Sequence, residues 1–254
     1  MKIAAQLFTV HDYLGTKEDL DMTFKKVKEM GYDYIQLSGA GYIDDEKAEY
    51  VKGLLEKYEL IMCVTHMSFD QLDNELDALI KYHKLWGCDY IGIGSMPKQF
   101  PRDEKGYKSF AEWANNIGDI VSQQGLTFVY HNHSFEFEKY NGKTGLEILA
   151  EGFNNHVQLL LDTYWVQAGG ANPASYITKL ADKIDIIHLK DYGIKNYEPY
   201  FAEIGSGNID WQDVIKACNQ AGVKYAAVER DKGEIEPFES LAISRKYLKE
   251  VHGL

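Results

Sequence analysis

The sequence predicts an α/β protein of the (β/α)₈ class, a TIM barrel built by residues 1–254 as one domain. Three observations carry that expectation. Short apolar, β-branched or aromatic runs recur at spacings of roughly 25–40 residues, the length of one strand–helix unit. Between them, apolar residues repeat at three- and four-residue steps, as amphipathic helices require. Four late runs, in FVYHNHSFEF, LLLDTYW, IDIIHLKD and YAAVERD, each end in a metal-capable side chain. Parallel strands that present such groups at one end make them converge. An open doubly wound sheet would have fewer strands and a glycine-rich first turn, which Gln6-Leu7-Phe8-Thr9 does not supply.

Taken in order, the strand-like runs are Ile3–Gln6, Tyr34–Leu37, Ile61–Val64, Tyr90–Ile93, Thr127–Tyr130, Gln158–Leu161, Ile184–Ile187 and Tyr225–Val228. Helical periodicity links Leu20, Phe24, Val27 and Met30, then Leu72, Leu76, Leu79 and Tyr82, then Phe110, Trp113, Ile117 and Ile120. Thr16 with Asp19, and Asp210 before Trp211, read as N-terminal caps. Gly31, Gly87, Gly125 and Gly222 read as left-handed C-terminal caps. The longest connections follow strand four, around Ser95-Met96-Pro97-Lys98, and strand seven, from Asp191 to Asn208. Both are expected to wall the pocket, since barrel enzymes build their sites at that end.

Composition narrows the function. A 45% hydrophobic chain of 254 residues can bury a sizeable core. No window approaches the ~18 apolar residues of a membrane span. MKIAAQLFTV lacks the marks of a secretory signal and reads as a first strand, so a cytoplasmic location is expected. Cys63, Cys88 and Cys218 form no CxxC pair and are expected to be small buried hydrophobes. A net charge of −12 disfavours nucleic acid as a partner. The expected partner is a small molecule, and self-association into a homo-oligomer is compatible with the sequence.

Asp162 ends the run Leu159-Leu160-Leu161, where an isolated carboxylate must be hydrogen-bonded, paired or bound to a cation. A helix-capping role is the alternative, but Thr163-Tyr164-Trp165 follows without helical patterning. His188 and Glu229 end the next two runs, and their company with Asp162 favours ligation over a satisfied core histidine or a salt bridge to Arg230 or Asp231. His131 and His133 share one side of a strand, so that one could bind metal while the other meets substrate. Glu136 is a further carboxylate in reach. Nitrogen and oxygen donors without thiolate suit Mn²⁺ first, with Zn²⁺, Mg²⁺, Co²⁺ or Fe²⁺ as alternatives. Such an ion acidifies the C–H beside a carbonyl and stabilises the enediolate. That is sugar isomerisation or epimerisation, and a β-hydroxyl leaving group turns it into dehydration.

AAQLFTV, GYDYIQLSG, HNHSFEF, LDTYWVQAGGANP, HLKD, EIGSGNIDW and VERD together resemble the xylose isomerase-like barrel superfamily, which includes sugar isomerases and epimerases, inosose dehydratases and endonuclease IV. The resemblance implies Asp162, His188 and Glu229 as metal ligands from strands six to eight. His131 stands where many relatives carry a strand-five Glu, and would become the first ligand. Losing that Glu removes one of two bases used in epimerisation, which Glu136 or His133 would have to replace. Gln36 stands where relatives often have Glu, and Trp165 where isomerases have a His after Asp162. The resemblance implies a metal-dependent sugar isomerase or epimerase in which Glu229, His133, Glu136 and Lys190 serve catalysis and His66, Trp165, Gln6 and Phe8 meet substrate. A lyase on a keto-sugar, keto-inositol or oxidised glycoside, working with one base, is the alternative. An inactive sugar-binding barrel is the third reading. For Lys190, the competing assignment is a salt bridge with Asp191.

Overall fold

In the computed structural model, which describes residues 1–254, every expected apolar run forms a strand. These are β1 (Lys2–Gln6), β2 (Tyr34–Leu37), β3 (Ile61–His66), β4 (Tyr90–Ile93), β5 (Thr127–His131), β6 (Val157–Asp162), β7 (Ile184–Leu189) and β8 (Tyr225–Val228). All pair in parallel with their chain neighbours, and β1 also pairs with β8, closing the barrel. Several strands run past their apolar cores to include His66, His131, Asp162 and His188. Across the β6–β7 pair, Asp162 stands opposite His188.

Side-chain alternation divides the core in two. Ala5, Ile35, Phe128, Leu161 and Ile187 join the large cluster shared with the helices. Residues of the other parity, Ala4, Val64, Val129, Leu160, Ile186 and Ala227, form a separate cluster in the barrel interior. Two positions beyond these six stand Gln6, His66, His131, Asp162, His188 and Glu229. The apolar plug is therefore the floor on which the polar layer rests.

The outer helices include Lys17–Glu29, which a capping box of Thr16 and Asp19 begins, and Trp211–Ala221, capped by Asp210. Gly87 and Gly222 end their helices at φ of 65° and 74°, where a β-carbon would be strained. The periodic stretch from Leu72 to Tyr82 is broken at Glu75 (φ −134°) into Phe69–Asn74 and Leu76–Trp86. Ser68 caps the first piece, which turns Gln71 inward to donate to the Ile43 carbonyl at 2.9 Å. Ile120 is exposed, because helix Glu104–Ser122 buries Ala114, Ile117 and Val121 instead. All three cysteines are buried as free thiols, as expected. No helix is long and apolar enough to cross a membrane.

The connection after β7 is an ordered antiparallel hairpin of Asp191–Lys195 and Glu198–Ala202. Asp191 anchors its base. The carboxylate accepts from the Tyr192, Gly205, Gly207 and Ile209 backbone N–H groups and from Trp211 Nε1 at 2.7 Å. This engagement explains why Asp191 is not the partner of Lys190.

Candidate active site

Four strand ends bring His131, Asp162, His188 and Glu229 together. Their ligand-capable atoms all lie within 4.8 Å of one another, and all four residues are buried. The surroundings orient both imidazoles. His188 Nε2 donates to Gln36 Oε1 at 2.8 Å, because an amide oxygen only accepts. His131 Nδ1 likewise donates to the Gly94 carbonyl at 3.0 Å. Each ring thus turns its other nitrogen toward the cluster, the arrangement that outer partners impose on metal-binding histidines. His188 Nδ1 is 2.9 Å from Glu229 Oε2, yet poorly aligned for a hydrogen bond and otherwise unpartnered.

Asp162 uses its two oxygens differently. Oδ1 accepts from Trp165 N at 3.0 Å and caps a short helix, Thr163–Ala168, the alternative role that the lack of helical patterning counts against. Oδ2 faces the cluster, 3.2 Å from His131 Nε2 and 3.6 Å from His188 Nδ1. The capping role and the cluster role therefore coexist in one carboxylate. Asn132 Oδ1 steadies the position by accepting from Asp162 N at 3.0 Å.

Lys190 is 1% exposed, with Nζ 3.2 Å from Glu229 Oε2, 2.5 Å from Asp231 Oδ1 and 3.8 Å from Asp162 Oδ2. Burial opposes its charge, but Glu229, Asp162 and Asp231 outweigh that and hold the ammonium above its usual pKa. Burial would likewise push Asp162 and Glu229 upward, yet Lys190 first and the histidines second hold both below the carboxylate range. For His188, burial loses to the Glu229 and Asp162 carboxylates, and the pKa rises to about 9. Arg230, the suspected rival for Glu229, pairs instead with Glu203 at 2.5 Å.

Above the cluster opens a cavity of about 470 Å³ lined by Phe8, Tyr42, His66, His133, Lys190 and Glu229, among others. His66 Nε2 and His133 Nδ1 have no hydrogen-bond partner. Burial keeps both rings neutral, lowering His133 to about 3. Asp231 also lines this cavity, a residue that sequence reasoning treated only as a salt-bridge partner although it lies two positions past Glu229. From the connection after β4 only Gly94 reaches the cavity; the turns after β1, β2 and β3 supply most of the wall.

Three expected site residues lie elsewhere. Glu136 turns away from the cavity and accepts from the Tyr130 hydroxyl and from His133 N at 2.9 Å. Burial raises its pKa to about 7. Its carboxylate therefore shapes the turn that carries His133, and it does not replace the missing strand-five Glu. Gln6 is buried below the cavity, with Oε1 accepting from Phe8 N at 3.2 Å. Trp165 belongs to a neighbouring cleft.

The donor set fits a divalent cation. Two oriented imidazoles and two ionised carboxylates converge, and the unpartnered Nδ1 of His188 is left without a better use.

The chain is 28% identical over 178 residues to an inosose dehydratase of Clostridium beijerinckii, covering 59% of this chain and 56% of that protein. It thus spans little more than half the length of that relative. An inosose dehydratase of Serratia proteamaculans is 27% identical over 228 residues, covering 74% and 72% respectively. A solved sugar phosphate isomerase/epimerase of Parabacteroides distasonis ATCC 8503 superimposes with a TM-score of 0.81 at 20% identity, over 98% of this chain and 94% of that one, a likeness of fold. Residues 24–251 match the family described as xylose isomerase-like TIM barrel, and the chain belongs to that family.

Proposed function

We propose that the protein is a lyase that removes the proton beside the carbonyl of a keto-sugar or keto-inositol and expels the group β to that carbonyl. His131, Asp162, His188 and Glu229 would hold a divalent ion, with Mn²⁺ expected from the mixed nitrogen and oxygen donors. When bound, the ion supplies Lewis-acid polarisation of the carbonyl and its neighbouring hydroxyl.

One observation carries the choice of elimination. The carboxylates lining the cavity, Glu229 and Asp231, both follow β8, and none faces them from β5, where His131 replaces an acid and Glu136 turns outward. Two-base epimerisation needs proton acceptors on both faces of the substrate, whereas elimination needs one. Glu229 is ionised, and its contacts with His188 and Lys190 are made through Oε2, so Oε1 is available to take the proton. The Lys190 ammonium offsets charge that develops on the carbonyl oxygen. Neutral His66 and His133 line the cavity and provide polar surface for substrate hydroxyls.

A keto-inositol and a panel of keto-sugars, incubated in D₂O with Mn²⁺, test this reading. Growth of the ultraviolet absorbance of an unsaturated ketone is expected. Epimer formation or deuterium exchange with no unsaturated product would overturn it in favour of an isomerase or epimerase. That second reading draws support from His133, a neutral imidazole on the β5 side that could carry the second proton.

A further inference from the structure

The hairpin after β7 carries apolar surface that a single chain leaves uncovered. Seven large hydrophobic residues are exposed, and three of them, Ile194, Tyr197 and Tyr200, belong to this one hairpin. Tyr197, at the tip, is 99% exposed. Lys195 stands opposite Glu198, so Asn196 and Tyr197 alone make the turn, at φ of 52° and 67°. A two-residue turn with both φ positive favours Asn-Gly. Tyrosine in the second place strains the backbone, and within one chain its ring packs on nothing in return.

Beside the tip lies a cleft of about 890 Å³, separate from the candidate active site. Its lining combines Pro199, Tyr200 and Phe201 of the hairpin, Tyr164 and Trp165 from the turn after β6, and Ile235 from the turn after β8. Most charges around it are already engaged: Lys195 with Glu234 at 2.9 Å, and Arg230 with Glu203 at 2.5 Å. Lys232 is exposed and pairs with no carboxylate. Glu198, next to Tyr197 on the tip, is likewise exposed and unpaired.

Tip and cleft are thus complementary. One offers an uncovered ring beside a free carboxylate; the other offers a largely aromatic hollow beside a free ammonium. They do not meet within one chain, because the Tyr197 ring stands wholly in solvent. The hairpin that lines the cleft also holds the tip near its rim. A two-fold axis beside the tip therefore lets two chains exchange tips, the self-complementary arrangement of an isologous dimer.

We propose that the cleft receives the hairpin tip of a second copy of this chain, with Tyr197 seated among the rings and Glu198 paired with Lys232. Symmetry makes both contacts twice. The inference goes beyond the lyase reading and does not depend on it, since no member of the His131, Asp162, His188 and Glu229 cluster takes part.

Sedimentation velocity of the whole chain over a concentration series tests the contact. A reversible dimer is expected, with a dissociation constant in the micromolar range, because two tips make a small interface. Tyr197→Gly deletes the ring and suits the positive φ, so the melting temperature of the dilute monomer should hold or rise. Its dimer should nevertheless be at least about tenfold weaker. Lys232→Glu and Glu198→Lys each set like charges at both contacts and should weaken the dimer at least about tenfold. Mixed together, these two proteins should form a heterodimer, and the double variant should recover the homodimer. A wild-type chain that stays monomeric at about 100 μM would overturn the proposal and leave the cleft to a small ligand. A dimer unchanged by Tyr197→Gly, or charge variants that fail to rescue each other, would also overturn it, because the copies would then meet through another face.

Discussion

Replacing Lys190 with Met isolates the electrostatics of the site. The ammonium stands among Glu229 at 3.2 Å, Asp231 at 2.5 Å and Asp162 at 3.8 Å, and it is almost wholly buried. Methionine keeps much of the length and volume but leaves Asp231 without its countercharge and removes one of the cations that Asp162 and Glu229 share with His188. Removing one partner of a buried ion pair costs about 3–5 kcal/mol. For a chain of this size that lowers the melting temperature by about 6–20 °C, at about 2–4 °C per kcal/mol. The comparison is a thermal melt at pH 7 in EDTA and again with Mn²⁺. In EDTA the variant should melt well below wild type. Mn²⁺ should recover more stability in the variant than in wild type, because a cation among the same carboxylates supplies the charge that was removed. The deficit should also shrink as pH falls, since the unpaired carboxylates can then take up protons. A variant within about 0.5 kcal/mol of wild type in EDTA, or an equal metal gain in both proteins, would refute the role assigned to Lys190.

Three further outcomes are expected. Glu229→Gln should lower turnover by about 10²–10⁴-fold if its carboxylate moves the proton, and near wild-type turnover would remove it from the mechanism. Gln36→Leu deletes the acceptor that fixes the His188 tautomer and should weaken Mn²⁺ binding by about 10–100-fold in calorimetry, while Gln36→Glu should retain it. His83 is buried between Thr65 Oγ1 at 2.8 Å and the Leu79 carbonyl at 2.7 Å, and burial lowers its pKa to about 4. A lowered pKa means that the unfolded chain takes the proton first. The stability is whole above the unfolded value near 6.5 and is lost as pH falls toward 4, by about 3 kcal/mol in all. His83→Gln should flatten that part of the acid-unfolding curve, and an unchanged slope would contradict the assignment.

Strand placement was legible in the sequence because buried parallel strands must be continuous apolar runs, and Leu159-Leu160-Leu161 or Ile184–Ile187 can scarcely be read otherwise. The convergence of His131, Asp162, His188 and Glu229 was legible for the same reason, since a polar residue ending such a run has only the barrel mouth to face. What escaped depended on rotation and reach. Glu136 is near His133 in sequence, but a short helical turn at Phe135–Phe137 directs its carboxylate back to Tyr130. Helix Thr163–Ala168 has few apolar repeats and begins only because Asp162 caps it. Asp231 lies beyond the end of β8, where strand alternation no longer predicts direction. The hairpin from Asp191 to Ala202 has too little alternation to announce itself, and its order comes from the five N–H groups gathered on Asp191.

Charge decides which form of the substrate this cavity accepts. Lys190 is the one cation lining it, and that ammonium is already shared by Glu229, Asp231 and Asp162. His66 and His133 are neutral, so neither adds positive charge. With His131 in the donor group, the carboxylates Asp162 and Glu229 would balance a bound divalent ion, and Lys190 balances Asp231. The site is then close to neutral, and nothing is left to pair with a phosphate dianion. An uncompensated anion brought out of water loses several kcal/mol of hydration, where a sugar hydroxyl loses far less. Unphosphorylated substrates should therefore be turned over with at least about tenfold higher kcat/KM than their phosphate esters. A phosphorylated keto-sugar processed as well as its parent would mean that a cationic group outside this cavity reaches in, and that the neutral-site argument fails.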